Sequence, residues 1–110
     1  MKLYGIKACD TCRKALRELT KSGFVVEFVD IRATPQDAAF FDQVFATFGG
    51  ISVNQRSKTW REMTETDREL PKSQMFTAFP TVMKRPVIED DGVMTLGWSP
   101  ETKAQWTGNS

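Results

Sequence analysis

The stretch Lys2-Leu3-Tyr4-Gly5-Ile6-Lys7-Ala8-Cys9-Asp10-Thr11-Cys12 sets the reading of everything after it. Lys2–Ile6 is half apolar and reads as a short strand, ended by a turn around Lys7 and Ala8. Asp10 or Thr11 can begin a helix, because Cys12, Ala15, Leu16 and Leu19 then fall on one face at helical spacing. Arg13, Lys14, Arg17, Glu18 and Lys21 fill the other faces, and Gly23 suits the position just past the helix end. Val25–Asp30 follows as a β-branched and aromatic run, which predicts a second strand. Strand, helix and strand in this order make a βαβ unit, most simply with the two strands parallel in one sheet.

Beyond this unit the chain turns helical. Thr34-Pro35 offers an N-cap residue followed by proline at the first helical position. Phe41, Val44, Phe45 and Phe48 then form an apolar stripe, and Gly49-Gly50 ends it. Such a stripe is packing surface before it is a ligand box. Lys58–Met63 and Ser73–Phe79 read as short helices on either side of a charged stretch, 64–71. Arg61, Glu62, Glu65, Asp67, Arg68 and Glu69 are expected to form a solvated face. Val87–Glu89 is a strand, Asp90-Asp91-Gly92 a tight turn and Val93–Leu96 its hairpin partner. Ser99-Pro100-Glu101 opens a short C-terminal helix. A βαβ half followed by a ββα half is the order that a thioredoxin-like α/β sheet requires. The expected organisation is one domain over residues 1–110, with a core of about 1–32 and 84–110 and a helical insertion of about 33–83.

Composition excludes several function classes. The chain has 110 residues, enough for one hydrophobic core, with 40% hydrophobic and 26% charged residues. A formal net charge of +1 gives no bulk attraction for phosphates, so no direct nucleic-acid partner is expected. No apolar run approaches the roughly 20 residues that span a bilayer, and the first residues lack the apolar core of a secretory signal. The expected compartment is the cytoplasm, with no membrane partner. There is no histidine, which removes Ser–His and Cys–His pairs and makes a zinc site untenable. No metal is expected.

The chemistry therefore rests on the two cysteines, Cys9 and Cys12, set between a strand and a helix. A thiol at a helix N-terminus faces unpaired backbone N–H groups and the positive end of the helix dipole, and both favour the thiolate. The thiolate is the nucleophile toward a disulfide, a peroxide or an electrophilic oxyanion. Cys9, in the turn, is the expected attacking sulfur. Cys12, one helical turn later, could resolve a mixed disulfide by closing an intramolecular bond. The alternative, two inert core thiols, fits Cys12 better than Cys9.

Taken together, Leu3-Tyr4-Gly5-Ile6-Lys7 with Cys9-Asp10-Thr11, Lys58-Thr59-Trp60-Arg61, Lys84-Arg85-Pro86 and Leu96-Gly97-Trp98 resemble the ArsC/Spx family, most nearly its short YffB-like members. The resemblance runs over essentially the whole chain. It implies that Cys9 stands where arsenate reductases of this type form their thiol–arsenate adduct. Arg56, in Asn54-Gln55-Arg56-Ser57, and Arg85 match arginines of the family's anion site. Pro86 matches its cis-proline position beside the thiol, and Arg85 with Pro86 is the expected binding surface for a co-substrate. Independently of any family, a guanidinium pairs with an oxyanion or carboxylate and lowers a thiolate's energy.

The resemblance implies a thiol-based oxidoreductase of the arsenate reductase kind, with no bound cofactor and glutathione as co-substrate. The partner would be glutathione or a small thiol or oxyanion substrate. A second implied function is an Spx-like regulator, in which a Cys9–Cys12 disulfide switches docking on the RNA polymerase alpha C-terminal domain. Two departures separate this chain from arsenate reductases. Trp98 stands near the place of a further arginine, as a core or lid aromatic, which disfavours arsenate. Cys12 adds the second thiol that Spx proteins carry.

Overall fold

Alternation in the first residues puts Leu3 on one face of a strand and Tyr4 on the other, and both are buried. A computed structural model describes residues 1–108, so positions 109 and 110 of the expected C-terminal segment lie outside the described residues. The element order is β1 (Lys2–Gly5), α1 (Asp10–Lys21), β2 (Glu27–Asp30), α2 (Ala38–Phe48), α3 (Lys58–Glu62), α4 (Glu65–Arg68), α5 (Lys72–Ala78), β3 (Val87–Asp90), β4 (Val93–Leu96) and α6 (Pro100–Thr107). Two 3-10 turns lie at Gly49–Ser52 and Pro80–Val82. The described residues divide into two compact units, one made of Met1–Ile31 together with those from Arg85 onward, the other of Arg32–Lys84.

The first unit holds a four-stranded sheet in the order β2-β1-β3-β4. β1 and β2 are parallel, as the βαβ reading requires, with Leu3 opposite Phe28 and Gly5 opposite Asp30. β3 runs antiparallel to both β1 and β4. This is the thioredoxin-like arrangement, with helices α2 to α5 inserted between its halves. Leu3, Cys12, Ala15, Leu19 and Ile88 form a buried cluster on one face, joined by partly buried Leu16, Phe28, Trp98 and Trp106. Fully burying such aliphatic side chains stabilises the fold by roughly 1.5–3 kcal/mol each. Trp106 of α6 also meets Phe24 edge to face at 6.4 Å and donates its indole N–H to buried Thr95 of β4 at 2.7 Å.

Local chemistry sets most of the boundaries. Asp91 and Gly92 both take positive φ, 51° and 79°, the pair of conformations a two-residue hairpin turn needs. Ser99 accepts from the Thr102 N–H and Pro100 occupies the first helical position, so α6 starts where the sequence placed it. The second strand begins later than the expected Val25, which is 90% exposed and outside the ladder.

In the second unit, α2 begins at Ala38 and not at the expected Thr34-Pro35. Asp37 is the cap: its carboxylate accepts the Phe40 N–H at 2.9 Å. Phe41 and Val44 are buried with Met75 and Phe76 of α5, while Phe45 and Phe48 are only half-buried. The expected solvated stretch contains α4, whose Thr64 and Asp67 exchange side-chain and backbone hydrogen bonds as a capping box. Arg68 is not merely solvated. It donates to the Trp60 carbonyl at 2.7 Å and lies 4.8 Å over the Trp60 ring, tying α4 to α3.

Candidate active site

The turn between β1 and α1 is held from both sides. The Cys9 N–H donates to the Ile6 carbonyl at 2.9 Å, and the Lys7 N–H donates to the Asp30 carboxylate at the end of β2 at 3.0 Å. Cys9 itself is the N-cap of α1, in extended conformation, and its carbonyl accepts the Arg13 N–H that starts the helix. An N-cap side chain stands before the unpaired N–H groups of the first turn. In place of a Ser or Asp oxygen, this helix has a half-buried sulfur there.

Burial pushes the Cys9 thiol up. The Cys12 backbone N–H, the Cys12 thiol and the Arg85 guanidinium pull it further down, so it lies below the ordinary 9.0. Cys12 behaves in the opposite way. It is fully buried among Leu3, Ala15, Leu19 and Ile88. That burial outweighs an Ile6 backbone N–H aimed at its sulfur, and the Cys9 charge adds to it, so its pKa is pushed up to about 12. Of the two thiols Cys9 is therefore the one that ionises first, so that the pair's first negative charge falls on the accessible sulfur while the buried one keeps its proton.

Arg85 stands two residues before β3, and antiparallel pairing of β3 with β1 brings this end of β3 to the β1 end from which the Cys9 turn leaves. Its side chain is half-buried beside Cys9. Pro86, fully buried, follows it through a cis peptide bond. Cys9, Cys12, Arg85 and Pro86 thus belong to the first unit. Arg56 belongs to the second, where it is exposed and its N–H is held by the Asn54 side chain at 3.1 Å. It lines an open hollow of about 430 Å³ with Ile51, Val53, Asn54, Gln55 and Lys84. Lys84, a second cation in that hollow, stood in a quoted motif, but its neighbour Arg56 is distant in sequence and nothing local joins them.

Trp98 is a packed residue. Its indole N–H donates to the Glu18 carboxylate at 3.0 Å, which also takes Lys103 at 3.2 Å, and its ring lies against the Leu3–Ile88 cluster. The Trp98 hydrogen bond comes first in lowering the Glu18 carboxyl below its ordinary value, with Lys103 adding to it against a smaller opposing effect of burial. Sequence reasoning did not single out Glu18, since a helix-surface glutamate carries no local signal. Among the described residues, no group of three or more Cys, His, Asp or Glu side chains could hold a metal ion, and no helix is long and apolar enough to cross a membrane.

The ArsC family model matches residues 4–105. An uncharacterized protein of Haemophilus influenzae is 36% identical over 102 residues, covering 88% of this chain and 90% of that one. Among solved structures, one titled YFFB protein superposes with a TM-score of 0.87 at 31% identity, over 96% of this chain and 97% of the other. An arsenate reductase (ArsC) related protein from Brucella melitensis gives 0.72 at 30% identity, over 96% and 92%.

Proposed function

The chain belongs to the ArsC family, and on that premise we propose that it is a thiol-based reductase whose Cys9 thiolate attacks small mixed disulfides, with glutathione as co-substrate. One observation carries the reading. Cys9 is the N-cap residue of α1, and its sulfur is under the influence of the Cys12 N–H, the Cys12 thiol and the Arg85 guanidinium together. Those three groups are donors and a cation aimed at a developing or resident thiolate, the arrangement that makes a sulfur nucleophilic at neutral pH.

The reaction follows from thiol–disulfide exchange. The Cys9 thiolate attacks one sulfur of the substrate disulfide, the substrate S–S bond breaks, and the departing thiolate takes a proton from water. Cys9 is left as a mixed disulfide. A glutathione thiolate then attacks that bond, restoring the Cys9 thiolate and leaving oxidised glutathione or a glutathione mixed disulfide. Full burial of Cys12 and its high pKa favour an external thiol for this second step. Cys12 serves mainly as the proton donor that stabilises the Cys9 thiolate. Arg85 orients the anionic part of the incoming molecule, a task for which its planar fork suits carboxylates. Arg56 is the second arginine of this reading, and its part is read from the KM for glutathione in Arg56→Ala.

Trp98, fixed by Glu18, supplies no charge where arsenate reductases are expected to place a further arginine, which favours disulfides over arsenate. The test is reduction of a small glutathione mixed disulfide and of arsenate, run side by side with glutathione on wild type and Cys9→Ser. The expected result is disulfide turnover in the wild type, lost at least about a hundredfold in Cys9→Ser, with little arsenate reduction. Wild-type rates in the variant, or no disulfide turnover at all, would overturn the proposal.

A further inference from the structure

Gly5 ends β1 in a regular ladder, opposite Asp30, with its carbonyl accepting the Ile31 N–H at 2.9 Å. Its backbone is not in the left-handed region, so conformation does not require a glycine there. Strand interiors disfavour glycine, and its presence marks a place where another group approaches the backbone closely. Here that group is a sulfur. A Cβ built on Gly5 would lie 2.5 Å from Cys12 Sγ, 3.2 Å from Cys12 Cβ and 3.4 Å from Leu3 Cδ2. Real Cβ atoms essentially never come within 3.0 Å of such neighbours.

We infer that Gly5 is a positioning residue for the reacting thiol: the space left by its missing Cβ seats Cys12 Sγ at the end of β1, and that seat keeps the Cys12 thiol directed at Cys9. The inference rests on the reading of Cys9 as the nucleophile. The seat has a floor and a wall. The adjoining Ile6 N–H is aimed at the same sulfur, and Cys12 has no room to withdraw, being wholly buried within the Leu3–Ala15–Leu19–Ile88 cluster. From this position the Cys12 thiol donates to Cys9 Sγ. A methyl group at position 5 forces the sulfur off the Ile6 N–H and out of line with Cys9. The consequence for Cys9 is the loss of one hydrogen bond to its charged form.

The experiment is a double-mutant cycle on Gly5→Ala, Cys12→Ala and the double variant, reading the rate of Cys9 carbamidomethylation against pH and the thermal midpoint of each protein. Loss of a hydrogen bond to a thiolate lowers its population about tenfold, and the higher intrinsic nucleophilicity of a more basic sulfur returns part of this. Alkylation of Gly5→Ala at pH below its midpoint is expected to slow by about threefold, with the midpoint moved up to that of Cys12→Ala. The double variant is expected to match Cys12→Ala in midpoint and to lie close to it in thermal stability, since without the sulfur only the 3.2 Å approach to the Cβ of residue 12 is left to relax, by a few tenths of an ångström. A folded Gly5→Ala protein with the wild-type midpoint would overturn the inference. Should Gly5→Ala alone fail to fold, a double variant as stable as Cys12→Ala supports the seat, and a double variant that also fails to fold refutes it. An ordinary midpoint in the wild type would instead refute the reading of Cys9, while the stability cycle would still report on the seat.

Discussion

Replacing Cys12 with alanine should remove a definite part of the protein's dependence on alkaline pH. An ordinary thiol ionises near 9.0, and burial pushes Cys12 up to about 12. The sign follows from linkage: a group whose folded pKa is raised and whose charged form is the anion stabilises the fold while protonated. That contribution is whole below pH 9 and is lost as pH rises toward 12. The interval is worth on the order of 4 kcal/mol at about 1.36 kcal/mol per pH unit. By pH 10.5 the unfolded chain has given up this proton, the folded chain has kept it, and about half the interval is spent. Cys9, lowered in the wild type, keeps the Cys12 N–H and Arg85 in the variant but loses the Cys12 thiol, so its own share is fixed from its alkylation midpoint in each protein and subtracted before the two losses are compared. Urea unfolding under reducing conditions at pH 9 and pH 10.5 reads the effect. Wild type is expected to lose on the order of 1–2 kcal/mol more than Cys12→Ala over that range. Equal losses would show that Cys12 titrates as an ordinary thiol, and the division of charge and proton between the two sulfurs would have to be abandoned.

Arg85→Ala removes a cation and a donor from the Cys9 sulfur, so the pH midpoint of Cys9 alkylation is expected to rise, with Arg85→Lys in between; an unchanged midpoint removes Arg85 from the site. Asp37→Ala is expected to cost about 1 kcal/mol in urea unfolding, as for other N-cap losses, whereas Thr34→Ala is expected to be nearly neutral. The reverse order would return the start of α2 to Thr34.

Elements whose signals are local were legible in the sequence. The βαβ opening announced itself through a change from period two to period 3.6, and the Asp90-Asp91-Gly92 turn and Ser99-Pro100 cap through residue types suited to those conformations. The position of Cys9 at a helix start was legible for the same reason. The start of α2 was not, because Thr34-Pro35 and Asp37 are both competent caps and no local signal ranks one above the other. Thr64-x-x-Asp67 was a readable capping box, hidden by the charge density around it. Proximity of Arg85 to Cys9 depends on antiparallel pairing of β3 with β1, for which two short strands carry no local code; only the family resemblance pointed there. Gly5 was silent too: its importance is the shape of a neighbour's sulfur, a fact of tertiary packing.

The strand order has a consequence in time. β1 takes one neighbour, β2, from just beyond the single helix α1, and the other, β3, from far downstream. At about 5–20 residues per second on a ribosome, the segment between Ile31 and Arg85 takes roughly 3–10 s to synthesise. During that interval Cys9 can already head α1, but the guanidinium that helps hold its charge has not been made. A nascent chain thus carries a milder sulfur than the finished protein, and the full nucleophile is switched on by the docking of one strand.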